Sequence, residues 1–92
     1  MIYKVILLPS ALEGIRKHKE SGNKKICKKL DELLKELRIH PKTGKGNPKP
    51  LKYFKGNHWS RRIIGKHRLY YEIFDNEVTV HVIKVEGHYY DK

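Results

Sequence analysis

Three stretches in the second half of the chain decide how it folds: His58-Trp59-Ser60-Arg61-Arg62-Ile63-Ile64-Gly65, His67-Arg68-Leu69-Tyr70-Tyr71-Glu72-Ile73-Phe74 and Val78-Thr79-Val80-His81-Val82-Ile83-Lys84-Val85. Each is rich in β-branched and aromatic residues, and short turns separate them, the last being Asp75-Asn76-Glu77. With a further strand expected over residues 51–55, they predict four consecutive strands in an antiparallel meander. Working outward, Ile2-Tyr3-Lys4-Val5-Ile6-Leu7-Leu8 ends at Pro9 and reads as a buried first strand. Ser10 followed by Glu13 has capping-box spacing and predicts a short helix from 11 to about 20. Ser21-Gly22-Asn23 then breaks and recaps the chain. Ile26, Leu30, Leu33, Leu34 and Leu37 follow at the spacing of one helical face. Between His40 and Pro50, prolines remove donors and glycines permit unusual dihedrals, so a loop is expected. The first strand must join the sheet after two helices. The expected class is therefore α+β in the order β-α-α-β-β-β-β, with the helices on one face of a mostly antiparallel sheet.

At 92 residues the chain is expected to be one domain, 1–92. Twenty-one basic against ten acidic residues leave +11 at neutral pH, which points to a polyanionic partner. A single cysteine, Cys27, closes no internal disulfide, falls among the apolar helix positions, and fits a reducing cytoplasm better than secretion. The longest apolar run, Val5 to Leu8, is far too short to cross a bilayer, and no leader pattern precedes it.

The charge is distributed unevenly. On the second helix Lys24, Lys25, Lys28 and Lys29 mix with Asp31, Glu32 and Glu36, which is most simply a solvated face, although the lysines could also help to hold RNA. Between Glu36 and Glu72 no acidic residue occurs, while ten basic ones do: Arg38, Lys42, Lys45, Lys49, Lys52, Lys55, Arg61, Arg62, Lys66 and Arg68. A one-signed stretch that includes strands suggests a phosphate site. Tyr53, Phe54, Trp59, Tyr70 and Tyr71 are interleaved with it and offer faces on which unpaired bases stack, with core packing as the alternative for each. The histidines and the lone cysteine lack metal-ligand spacing, and Gly44-Lys45-Gly46 lacks the phosphate-loop pattern, so neither metal nor cofactor is expected.

Gly44-Lys45-Gly46-Asn47-Pro48-Lys49-Pro50-Leu51-Lys52, then Trp59-Ser60-Arg61-Arg62-Ile63, then His67-Arg68-Leu69-Tyr70-Tyr71, and finally His88-Tyr89 resemble, in order and spacing, the YoeB/Txe toxins of the RelE/ParE superfamily. The resemblance runs from about residue 24 to the end. It implies a microbial RNase-type fold, ribosome-dependent cleavage of mRNA, neutralisation by an antitoxin of the YefM/Phd kind, and commonly a toxin homodimer. It places the family's transition-state arginine at Arg68, its catalytic histidine at His88 and its terminal aromatic at Tyr89, with Arg62 and Lys52 at further basic positions. One departure is sharp. Lys49 stands where the YoeB pattern has a glutamate taken as general base, and the C-terminus continues past Tyr89 with Tyr90-Asp91-Lys92.

Metal-free RNA cleavage needs a base for the 2′-OH, cations for the phosphorane and an acid for the leaving 5′-oxygen. The expected catalytic set is Arg68, His88, Tyr89, Lys49 and Arg62, and the expected RNA contacts are Lys45, Lys52, Lys55, Arg61 and Lys66. His88 suits either acid or base. Lys49 is either a base or a phosphate contact. The competing expectation is a noncatalytic basic module that binds RNA or the ribosome, or inhibits another target.

Overall fold

A computed structural model describes residues 2–86. Strand β1 (Lys4–Leu7) leads into helices α1 (Pro9–Glu20) and α2 (Lys24–Ile39). Then come β2 (Lys49–Pro50), β3 (His58–Arg62), β4 (Arg68–Phe74), a 3-10 turn (Asp75–Glu77) and β5 (Thr79–Glu86). The sheet runs β1-β5-β4-β3-β2. β1 pairs with β5 in parallel and the other pairs are antiparallel. The two helices begin the long connection from β1 to β5 that a parallel pair requires, and β2, β3 and β4 complete it. This is the α+β architecture expected from the sequence, with one parallel pair at the edge.

The helix ends follow from local chemistry. α2 begins where the Asn23 side chain accepts from the Ile26 N–H at 3.1 Å, just after Gly22 at a φ of 76°. At α1 the expected capping box does not form. Pro9 occupies the first turn, Leu8 is the cap residue without a side-chain bond, and Ser10 lies inside the helix. Proline at that position presets φ and removes a donor that would otherwise need a partner. Glu13 turns instead to Arg16, which also bonds Glu20.

The core lies between the helices and one face of the sheet. Ala11, Ile26, Leu30, Leu33 and Leu37 meet Ile63, Leu69, Tyr71, Ile73, Val80, Val82 and Val85. α1 lies so close to β5 that a Cβ added at Gly14 would sit 2.2 Å from the Val85 carbonyl oxygen. Cys27 is half-buried beside Leu30 and Leu34, as its place on the helix predicts. Trp59 is half-buried against the core.

Two strand expectations need correction. Residues 51–55 form turns, not a strand, and pairing with β3 is confined to Lys49 and Pro50. Pro48 and Pro50 cannot donate to a ladder, so this edge reaches only as far as one further bond, from Leu51 N–H to His58 O. β3 stops at Arg62 because the chain turns at Gly65, where φ is 58°. β5 also carries an irregularity. Tyr70 faces Lys84 and Tyr71 faces Val82, leaving Ile83 as the extra residue of a bulge.

Candidate nucleic-acid interface

Side chains alternate across a strand, so period two assigns the residues of β3 and β4 to one of two faces, and those of β5 from Thr79 up to its bulge. Leu69, Tyr71 and Ile73 point to the helices and are buried; Arg68, Tyr70, Glu72 and Phe74 between them are only half-buried. On the open face, cross-strand register gathers residues that are far apart in sequence. Arg62 on β3 is directly opposite Arg68 on β4, and Arg68 is in turn opposite Glu86 on β5. Directly opposed residues share a face at about 5 Å, so the two guanidinium groups issue from adjacent points. The neighbouring row holds Lys49, Ser60, Tyr70 and Lys84 across four strands. A third row pairs His58 with Glu72 and Glu72 with His81. In it, His58 Nε2 lies 3.3 Å from Glu72 Oε1, and His81 packs its ring 4.7 Å from that of Phe74.

The register thus brings together Lys49, Arg62 and Arg68 from the expected catalytic set. His88 and Tyr89 lie outside the described residues. Glu86 is two residues before His88, and its Cα opposite Arg68 brings β5 to the arginine pair. Glu72 was not singled out in the sequence. Its signal was available in the parity of Arg68, Tyr70 and Glu72, but its link to His58 depends on the β3–β4 register.

Among the expected RNA contacts, Arg61 is overturned. It is fully buried on the helix face and presents no surface to RNA. Its guanidinium spans the start of the loop between α2 and β2: Nε donates to the Tyr71 hydroxyl at 3.0 Å, Nη1 to Lys45 O at 3.0 Å, and Nη2 to Thr43 O at 2.8 Å and to His40 O. The Tyr71 hydroxyl donates onward to Pro41 O at 2.7 Å, and burial pushes its pKa up despite the opposing pull of Arg61. The planar fork suits this task, because several carbonyl oxygens are met by one rigid group. The next residue completes the anchor, with Arg62 N–H donating to Gly46 O at 2.6 Å. Gly46 has a φ of 84°, and a Cβ there would lie 2.8 Å from that Arg62 carbonyl oxygen. One arginine therefore fixes the loop that delivers Lys49, while its neighbour faces the site.

The other expected contacts divide. Lys45 is 3.5 Å from Glu32, so its charge answers a carboxylate of α2, as Lys42, outside that set, answers Asp75 at 3.1 Å. Lys52, Lys55 and Lys66 are exposed on the turns at either end of β3. The β3–β4 turn is seated on α1, where the His67 ring meets the edge of the buried His18 ring at a centroid distance of 5.0 Å. Burial, and then the neighbouring His67, hold the pKa of His18 below its ordinary value. Among the described residues no group of three or more His, Cys, Asp or Glu side chains is placed to hold a metal ion, and no helix is long and apolar enough to cross a membrane.

The sequence and the fold are similar to those of known proteins. Residues 9–89 match the family described as YoeB-like toxin of bacterial type II toxin-antitoxin system. Toxin YoeB of Escherichia coli (strain K12) is 45% identical over 61 residues, which cover 66% of this chain and 73% of that protein. The YoeB dimer of Staphylococcus aureus superposes with a TM-score of 0.74 at 34% identity, over 97% of this chain and 100% of that one. The heterotetrameric YoeB-YefM toxin-antitoxin complex of the same organism gives a TM-score of 0.74 at 32% identity, with the same coverage.

Proposed function

The chain belongs to the family of YoeB-like toxins of bacterial type II toxin-antitoxin systems, and from that premise we propose that it is a ribosome-dependent, metal-independent endoribonuclease acting on mRNA in the cytoplasm. A cognate antitoxin of the YefM/Phd kind holds it inactive, and the free toxin pairs with a second copy, in line with the relatives solved as a complex and as a dimer. The observation that carries the reading is the register of Arg62 opposite Arg68 on the open face of the sheet, with Lys49 in the adjoining row.

The chemistry follows from that placement. The 2′-oxygen of one ribose attacks the adjacent phosphorus as its proton is removed, the 5′-oxygen leaves and takes up a proton, and a 2′,3′-cyclic phosphate results. Negative charge grows on the non-bridging oxygens, and the paired guanidiniums of Arg62 and Arg68 supply charge-assisted donors there. Lys49 is exposed and serves as a phosphate contact. Proton transfer falls to His88, with Tyr89 stacking on a base. Lys52, Lys55 and Lys66 extend the electrostatic path for the strand.

A second reading is favoured by one observation, that Lys49 stands where the YoeB pattern carries a glutamate. It is a noncatalytic module that binds RNA or the ribosome. Mapping the 5′ ends of cellular mRNA within minutes of inducing the chain without its antitoxin separates the two. New ends inside translated codons, absent for Arg68→Ala, support the nuclease. Growth arrest without new ends supports the binding module.

A further inference from the structure

Gly44-Lys45-Gly46 lacks the phosphate-loop pattern, yet every polar group of its lysine is engaged. The Lys45 N–H donates to Glu36 Oε1 at 3.1 Å, its carbonyl oxygen accepts from Arg61 Nη1 at 3.0 Å, and its ammonium group lies 3.5 Å from Glu32. We propose that Glu36 is a positioning residue of the phosphate site: from α2 it clamps the loop at Lys45 and so sets where Lys49 and Arg62 meet the RNA. The inference rests on the proposed RNA substrate and adds to it a residue that acts from the helix side of the sheet.

Glu32 and Glu36 are four residues apart, which puts both on one face of α2, and that face meets Lys45 at its side chain and at its backbone. The two contacts differ in strength. The Glu32 pair faces water and counts for little, whereas a backbone N–H donated to a carboxylate is a charge-assisted bond. The flanking glycines make the grip possible. A Cβ at Gly44 would collide with the Glu36 carboxylate, so that carboxylate occupies the space a side chain would need. Gly44 has a φ of 104°, which only glycine adopts without strain. The triplet is therefore shaped for an anion on one side and a guanidinium on the other to hold consecutive peptide groups.

The slack between the clamp and the site is small. Arg62 N–H donates to Gly46 O, one residue past Lys45, and only Asn47 and Pro48 separate Gly46 from Lys49, whose partner across the ladder is Ser60. The Pro48 ring fixes its own φ, and Asn47 is held at a φ of 52°. A shift at Lys45 is thus passed to Lys49 with few rotatable bonds to absorb it. Reacting geometry is sensitive to displacements of about 1 Å. Arg61 holds the same loop but is fully buried, so its loss damages the fold as a whole. Glu36 is only half-buried on its helix, and its substitution reports on the clamp at less cost to the core.

The test measures binding of the full chain to a fluorescent RNA hexamer with 2′-O-methyl sugars, which is bound without being cut, across a series of salt concentrations. Removing a negative charge from a protein that binds RNA should by itself tighten binding. The clamp predicts the reverse. Glu36→Ala is expected to weaken binding about fivefold and to flatten its salt dependence by the slope of about one phosphate contact, as Lys49→Ala does. In the Lys49→Ala background, Glu36→Ala should change affinity by less than about twofold. Glu36→Gln keeps an oxygen to accept the Lys45 N–H and should bind within about twofold of the parent, while Glu36→Asp, one methylene short, should lose most of what alanine loses. If Glu36→Ala does not fold, aspartate against glutamine at this position carries the same comparison. Gly14→Ala, which strains α1 against β5, shows what a weaker fold alone does and should bind as the parent does. Unchanged or tighter binding by Glu36→Ala, a salt slope equal to the parent's, full additivity with Lys49→Ala, or no RNA binding at all would overturn the clamp. The nuclease reading stands or falls separately, on whether new mRNA ends appear in cells.

Discussion

Arg61 and Arg62 are neighbours with the same side chain, and the sheet sends them to opposite worlds. Arg61 is sealed against the helices and satisfies loop carbonyls, while Arg62 is exposed opposite Arg68. The helix face of the sheet uses charge to fix backbone. The open face leaves charge available to a phosphate. An acid-free run of cations therefore cannot be read as one patch: Lys42 and Lys45 answer carboxylates, Arg61 answers carbonyls, and the open face keeps Lys49, Arg62 and Arg68. Where a cation sits relative to the pleat decides what it does.

The contrast can be broken most directly at Arg61. Arg61→Ala is expected to lower unfolding free energy by about 3–5 kcal/mol, since it leaves a buried void and strips partners from Tyr71 and several carbonyls. Arg62→Ala should stay within about 0.5 kcal/mol. Urea denaturation of the two variants side by side decides it, and equal losses would mean that the two faces do not divide the labour. At Arg68 the effect should appear in rate and not in stability. Arg68→Ala is expected to slow mRNA cleavage by about a hundredfold or more, at about 2–4 kcal/mol of lost transition-state stabilisation.

A smaller effect probes the helix face alone. Gly14→Ala puts a methyl group against the Val85 carbonyl oxygen and should cost about 1–3 kcal/mol in thermal or urea unfolding. Cleavage per folded molecule should be retained. The smallest expected effect concerns pH. His18 has its pKa lowered in the folded protein by burial and then by His67, so the unfolded chain takes up the proton more readily. Stability is therefore held above the unfolded value of about 6.5 and declines as pH falls below it. A urea midpoint that stays level from pH 7.5 to 5.5 would contradict that assignment.

Much of this was legible in the residues. The stripe of α2 and the alternation of β4 follow from periodicity, whereas the register that sets Arg62 opposite Arg68 depends on the turn at Gly65, which the sequence reading places inside the strand. Even the inward direction of Arg61 had a signal, because it shares parity with Ile63. What it holds had none, since its acceptors are backbone oxygens of a loop whose path no local rule gives. The short β2 edge was misplaced because residues 51–55 look like a strand by composition, while Pro48 and Pro50 dictate where pairing can occur. The bulge at Ile83 was not legible at all, because a one-residue irregularity in register leaves no trace in an apolar pattern.

The order of the strands has a consequence for synthesis. β5 lies between β1 and β4, so the strand made last joins the strand made first to the rest of the sheet, with Lys4 beside Thr79. A nascent chain that has not yet extended through β5 owns a hairpin, two helices and a stray strand, but no completed floor for α1. Closing that long loop is the slow, non-local step of the fold. The toxin is thus assembled in one late event, and a chain that stops short of β5 has no completed sheet on which Arg62 and Arg68 are held opposite one another.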